Sequence, residues 1–211
     1  MKGIVALDMD GTILNGRTVF ALAKLKNVME QIKSIMNSDE YGYIKTEKIA
    51  RFWEGLSRED ILDAVDKIPL NYGAEELVNE LKKDYRVGII SDSYTLVTEY
   101  IAKKLGGLDF TYANDLIIND DIVTGEVRMP LGWEKINCYC KISVCKRYHL
   151  EKAMKEYNLN YSIAVGDTNA DRCMIETANI GIAFDPKDDM IRRSTDKIIN
   201  DKNLLKVLDY L

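Results

Sequence analysis

Residues 3–12 read Gly-Ile-Val-Ala-Leu-Asp-Met-Asp-Gly-Thr: an unbroken apolar run cut off by two acids. An apolar run without polar alternation is the pattern of a strand buried on both faces, as in parallel sheets. Val87–Ile90 and Ser162–Val165 repeat it, and Ile180–Ala183 and Lys197–Ile199 are weaker copies. Helical patterns lie between these runs. Ala74–Lys83 follows Gly73 and carries Leu77, Val78 and Leu81 at helical spacing, and Tyr94–Leu105 stops at Gly106-Gly107. Arg147–Tyr157 and Asp171–Ala178 are two more. Strands alternating with helices predict an α/β fold, a parallel sheet with helices on both faces.

One stretch breaks the alternation. Between Asn15 and Tyr72 there is no buried strand. Val19–Met36 and Thr46–Trp53 have helical periodicity, and Ser57-Arg58-Glu59-Asp60 reads as the capped start of a helix running to Lys67. The expected organisation is a core of residues 1–14 and 73–211 with an all-helical insertion, 15–72. Leu116–Val127 holds two β-rich runs around Asn119-Asp120-Asp121, a short hairpin.

Length and composition set the limits. A chain of 211 residues with 46% apolar and 30% charged residues is ordinary for a globular protein, a single domain or a core with a smaller insertion. Against 29 Lys and Arg stand 34 Asp and Glu, and a net charge of −5 lacks the basic footprint that binds nucleic acid. The single histidine, His149, excludes an HExxH zinc site and weakens a Ser-His-Asp reading. No segment approaches the roughly 20 apolar residues that span a membrane, and the N-terminal run is too short for a signal sequence. The expectation is a cytoplasmic protein, monomer or homodimer, with neither nucleic acid nor membrane as partner.

Cys138, Cys140 and Cys145 fall within eight residues, and Cys173 stands apart. A zinc site usually takes two paired cysteines, and this spacing lacks the second pair. The cysteines therefore read as reduced, partly buried thiols, with a redox or metal role as the alternative. The stretch Arg128–Cys145, with Pro130, Gly132 and Trp133, reads as an irregular surface excursion; the sharper alternative has it lining a substrate entrance.

Chemistry concentrates where the buried runs end. In open α/β sheets ligands bind beyond the carboxyl ends of the strands. Asp8 and Asp10 sit there after the first run, and Gly166-Asp167-Thr168-Asn169-Ala170-Asp171 after Ser162–Val165. One parallel sheet would bring Asp8, Asp10, Asp167 and Asp171 together. Clustered carboxylates raise one another's pKa. A divalent cation resolves that conflict, and oxygen ligands suit Mg²⁺. Ser91-Asp92-Ser93 ends the Val87–Ile90 run, where a hydroxyl and free backbone N–H groups hold phosphate oxygens or cap the next helix. Lys146 precedes a helix and in isolation reads as a surface lysine.

Taken in order, Asp8-Met-Asp10-Gly-Thr12, Ser91, Lys146 and Gly166-Asp167…Asp171 resemble the four motifs of the haloacid dehalogenase superfamily, and within it the phosphoserine-phosphatase-like group. The resemblance covers nearly the whole chain, and the segment from Tyr112 to Val127 is similar to the one that follows the second motif there. It implies a Rossmann-like three-layer core with a small helical cap. It also implies a Mg²⁺-dependent phosphomonoesterase acting on a small phosphorylated metabolite. Asp8 is implied as nucleophile and Asp10 as general acid and base. Ser91, Asp92 and Lys146 are implied to hold the phosphoryl group. Asp8, Asp10 (through its carbonyl), Asp167 and Asp171 are implied as metal residues, and Thr12 as a loop-ordering residue.

The chain departs from that group's pattern at four places. Arg17 stands nine positions after Asp8, where the group has an acid that meets the substrate ammonium. Asp92-Ser93 replaces a glycine pair, and Ala170 an asparagine. No arginine in the insertion falls in register for a substrate carboxylate, Arg51 being nearest. These departures imply altered specificity, with Arg17 selecting an acidic group, and leave the chemistry intact. Two other outcomes share the motifs: a phosphotransferase passing the phosphoryl group to an alcohol, and a non-catalytic haloacid dehalogenase-like binding protein.

Overall fold

The computed structural model describes residues 1–211. The chain runs β1 (Gly3–Leu7), then α1 (Thr18–Leu25), α2 (Met29–Met36), α3 (Gly42–Ala50) and α4 (Arg58–Asp66), a wholly helical passage. It continues through α5 (Ala74–Leu81), β2 (Tyr85–Tyr94), α6 (Thr95–Lys104), β3 (Phe110–Asn119) and β4 (Ile122–Arg128). After an irregular stretch come α7 (Lys146–Glu156), β5 (Ser162–Gly166), α8 (Arg172–Thr177), β6 (Ile180–Phe184), α9 (Asp189–Arg192) and β7 (Ile198–Ile199). The strands form one seven-stranded sheet, β4-β3-β2-β1-β5-β6-β7, parallel except for β4.

The buried run at the N-terminus explains the layering. Every residue of β1 is buried. Side chains alternate across a strand. Val5 and Leu7 join the apolar layer containing α5 and α6, while Ile4 and Ala6 join the layer containing Leu150 and Ala153 of α7 and Met174 and Ile175 of α8. The result is a three-layer α/β/α core. β1 lies between β2 and β5, so the chain leaves it in opposite directions, and the crevice at its carboxyl end opens there.

The helical passage is continuous with one layer. Leu22, Ile32, Trp53 and Ile61 belong to the same apolar cluster as Val5 and Leu7. The indole N–H of the buried Trp53 donates to the Tyr94 hydroxyl at the end of β2, at 2.6 Å. The periodic run Val19–Met36 is two helices, because Asn27 adopts a left-handed φ of 54° between α1 and α2. Ser57 caps α4 as expected: it accepts from the Asp60 N–H at 3.0 Å, and the Asp60 carboxylate accepts from the Ser57 N–H at 2.8 Å. The hairpin between β3 and β4 turns on Asp120 and Asp121, at φ 46° and 69°. Two left-handed residues are what a tight hairpin demands, and Asp tolerates that region better than most residues.

Candidate active site

The parallel strands deliver their loops to one edge. Asp8 follows β1 and Asp167 follows β5, and both are buried. With Asp171 they form a group in which one carboxylate oxygen from each residue lies within 4.8 Å of the other two. Backbone geometry allows the approach: Gly11 has φ +95°, and a Cβ there would stand 2.1 Å from Asp167 Oδ2. Asn71 braces the same loop, donating to the Thr12 carbonyl at 2.7 Å.

Two cations enter the acidic cluster. Lys146 is the first residue of α7, inside the helix rather than ahead of it, and is buried. A buried lysine is rare without partners. Here the ammonium donates to Asp8 Oδ1 at 2.5 Å and to Asp171 Oδ1. Asp171 Oδ2 accepts from the N–H groups of Asp167 and Thr168, both at 3.0 Å, so Asp171 is committed at both oxygens. Arg17, the residue before α1, donates from its guanidinium to Asp167 Oδ2 at 2.7 Å. Asp167 Oδ1 is buried with no partner.

The electrostatics follow from this inventory. Three carboxylates face two cations, which leaves one negative charge in excess. Burial raises the Asp8 carboxyl well above its ordinary range, and the neighbouring Asp171 raises it further, against the pull of Lys146. Burial and Asp171 push Asp167 up to about 7. For Lys146, burial opposes the charge, but Asp171 and Asp8 overcome it and hold the ammonium protonated. Excess negative charge, an unpartnered buried carboxylate oxygen and an all-oxygen donor set fit a hard divalent cation such as Mg²⁺.

Asp10 stands apart from this cluster. Its Oδ1 accepts from the Thr18 N–H at 2.8 Å and the Thr18 hydroxyl at 2.9 Å, at the start of α1. Burial raises its pKa, and the bonds from Thr18 oppose the rise. Ser91, Asp92 and Ser93 lie within β2 and do not cap α6; the residue before α6 is Tyr94, and its side chain makes no cap. The pairing of β2 with β3 shifts register between Ile90 and Tyr94. Asn114 of β3 holds the loosened backbone, donating to the carbonyls of Asp92 at 2.7 Å and Ser93 at 3.1 Å. Asp92 is half-buried, one of its oxygens is buried without a partner, and burial pushes its pKa up to about 6.

Asp8, Asp10, Arg17, Ser91, Asp92 and Lys146 together line one cavity of about 340 Å³. Val19, Met36, Thr46 and Ile49 of the helical passage form the opposite wall. A second groove shares Met36, Thr46, Ile49, Asp92 and Ala170 with it and adds Tyr139, Cys140 and Ile142, so the irregular stretch borders the way in. Arg51 does not reach the cavity; it is exposed and pairs with Glu47 at 2.8 Å. Sequence reasoning missed Thr18, Asn71 and Asn114, because a lone Thr or Asn that braces another part of the chain leaves no local pattern.

The model of the haloacid dehalogenase-like hydrolases matches residues 5–176, a span that contains every motif residue of the cavity. The chain belongs to that family. This haloacid dehalogenase-like hydrolase is 30% identical over its whole length to a phosphoserine phosphatase of Methanocaldococcus jannaschii, covering 98% of that protein. It is 29% identical to one of Streptococcus thermophilus, covering 96%. Among solved structures it superposes on a phosphoserine phosphatase held as a phospho-aspartyl intermediate analogue, with TM-score 0.85, 29% identity and coverage of 100% and 99% of the two chains. A substrate-bound phosphoserine phosphatase complex gives TM-score 0.86 at the same identity and coverage. The hydrolase is thus a phosphatase of the phosphoserine-phosphatase-like group, and no helix in it is long and apolar enough to cross a membrane.

Proposed function

We propose that this phosphatase hydrolyses a small phosphorylated metabolite through an aspartyl phosphate on Asp8. The observation that carries the reading is the ion pair of Lys146 with Asp8 Oδ1, which leaves Oδ2 without a protein partner on the wall of the cavity. Asp8 attacks phosphorus; its oxygen–phosphorus bond forms as the ester bond breaks. Asp10, fixed by Thr18, gives a proton to the departing alkoxide. In the second half Asp10 takes a proton from water as that water attacks the aspartyl phosphate, releasing inorganic phosphate and restoring Asp8. Ser91 and Lys146 hold the phosphoryl oxygens. Asp8, Asp167 and the Asp10 carbonyl would hold Mg²⁺, which supplies positive charge against the phosphoryl oxygens. Asp171, spent on Lys146 and the loop, positions the lysine.

Specificity rests on Arg17. Similarity to phosphoserine phosphatases favours a phosphomonoester of that size. A guanidinium in the cavity repels an ammonium and attracts a second acid, so the preferred substrate carries a carboxylate or second phosphate beside the ester. The test is phosphate release from phosphoserine, phosphoglycolate, sugar phosphates, nucleotides and an aryl phosphate, each with Mg²⁺ and with EDTA. Mg²⁺-dependent release, favouring an acid-bearing ester without an ammonium, is expected. Asp8→Asn should lower kcat by about 10⁴-fold with the fold retained. Residual activity within about tenfold of wild type would remove Asp8 as nucleophile, and no release from any compound would overturn the hydrolase reading.

A further inference from the structure

All four cysteines of the chain converge on one point. The sulfur atoms of Cys138, Cys140, Cys145 and Cys173 lie within 4.8 Å of one another, and none is in a disulfide. The sequence spacing concealed this: the fourth thiol comes not from the excursion but from α8, which packs beside α7. We propose that these four thiolates form a structural tetrahedral zinc site, separate from the acidic cluster.

The surroundings favour an ion over a plain apolar core. A zinc–sulfur bond of about 2.3 Å sets thiolate sulfurs about 3.8 Å apart in a tetrahedron, within the 4.8 Å limit that the four sulfurs already satisfy. Four sulfurs with no carboxylate or imidazole among them select a soft ion with tetrahedral preference. The excursion needs a staple. Residues 129–145 contain no helix or strand, only an isolated bridge between Leu131 and Val144. Leu131, Asn137 and Lys141 there sit at φ 48°, 50° and 46°. Left-handed backbone at Leu and Lys costs roughly 1 kcal/mol or more each, and apolar contacts among small thiols are a weak counterweight.

Binding converts four thiols to thiolates and releases four protons to water, leaving the site with a charge of −2. Two features meet that charge. Cys145 is the N-cap of the eleven-residue α7, where the helix field favours a thiolate. The Arg147 N–H donates to Cys173 Sγ at 3.4 Å. Cys140 is only half-buried, which gives the ion a route in. The site also has a reason to exist. Cys145 immediately precedes Lys146, and Cys173 lies two residues beyond Asp171. One ion would tie together the two peptides that carry the Lys146–Asp171 pair.

The test begins with the unmodified full chain, purified under reducing conditions and dialysed against EDTA. Elemental analysis should find about one zinc per chain. Replacement by Co²⁺ should give the visible d–d bands and thiolate-to-cobalt charge-transfer bands of a tetrahedral tetrathiolate. Cys140→Ser, which leaves three thiolates and the buried packing intact, should lose its zinc to a chelator that the wild type withstands. Cys173→Ser, which removes the ligand from α8, should lower the cobalt charge-transfer intensity to that of at most three thiolates. A folded wild-type chain without zinc whose cobalt form lacks those bands would overturn the site, as would an intact mass showing disulfides. Stoichiometric iron in place of zinc would overturn the zinc assignment.

Discussion

Two groups of metal-type donors lie on either side of one peptide bond, that between Cys145 and Lys146. On the Lys146 side are carboxylates; on the Cys145 side are thiols. The carboxylates come from strand ends, and the sheet fixes Asp8 and Asp167 before any ion arrives. Lys146 and Arg17 already neutralise most of their charge. Of the thiols, Cys138 and Cys140 come from an irregular excursion and only Cys173 lies within a helix. No cationic side chain enters their cluster: Arg147 pairs with Glu151, and Arg172 with Glu176. The difference teaches which site needs its ion to exist. The oxygen site is preorganised, so removing the proposed Mg²⁺ would cost activity and not structure. The sulfur site would be organised by its ion, so removing zinc costs structure first.

The largest expected effect comes from Lys146→Met. It strips two buried carboxylates of their partner, and breaking such a pair costs about 3–5 kcal/mol. Denaturant titration should record that loss with the zinc content unchanged; release of zinc by the same variant would show that the two clusters are not independent. Arg17→Ala should follow, lowering kcat/KM for an acid-bearing substrate by about a hundredfold, or ~2.7 kcal/mol, while an aryl phosphate changes little. With one cation gone from the oxygen cluster, less Mg²⁺ should suffice for half-maximal rate. An equal fall for both substrates would reduce Arg17 to a counter-charge for Asp167.

Asp92→Asn sharpens the oxygen side through pH. Burial, joined by Asp171 and Asp10 and opposed by Lys146, pushes the Asp92 carboxyl up to about 6 in the folded chain, against about 3.9 unfolded. Between these values the folded state holds a proton that the unfolded state has lost. The stabilisation is therefore full below pH ~4 and lost as pH rises through ~6, above which the buried charge is a net burden. Asp92→Asn should raise stability by on the order of 2 kcal/mol at pH 8 and not at pH 4, read by thermal melts at both. A gain that does not vary with pH would assign the effect to packing. Ser57→Ala, remote from both clusters, should cost only about 1 kcal/mol through the lost cap on α4, with both metals and the rate unchanged.

The oxygen side was legible in the sequence and the sulfur side was not, for one physical reason. A doubly buried strand leaves an apolar run, and parallel strands place their carboxyl ends together, so the order of motifs after Leu7, Ile90 and Val165 already places Asp8, Ser91 and Asp167 on one edge. Lys146 in isolation reads as a surface lysine; only the tertiary structure shows the two carboxylates that allow its burial. Cys173 meets its partners through the packing of α8 beside α7, a contact that spacing within Cys138–Cys145 cannot express. The same holds for Asn71 and Asn114, single polar residues whose partners are backbone carbonyls on other elements, and for Thr18, which holds the Asp10 carboxylate.

The bond between Trp53 and Tyr94 has an optical consequence. The chain has two tryptophans, and both stand on the seam between the helical passage and the rest. Trp53 belongs to that passage and donates to the core tyrosine, while Trp133 belongs to the excursion and stacks on Tyr43 of α3, ring centres 5.8 Å apart. Any displacement of the helices against the sheet changes the surroundings of both indoles at once. The molecule thus carries a built-in fluorescent gauge of any such displacement, with no emitter elsewhere to dilute its signal beyond the weaker tyrosines.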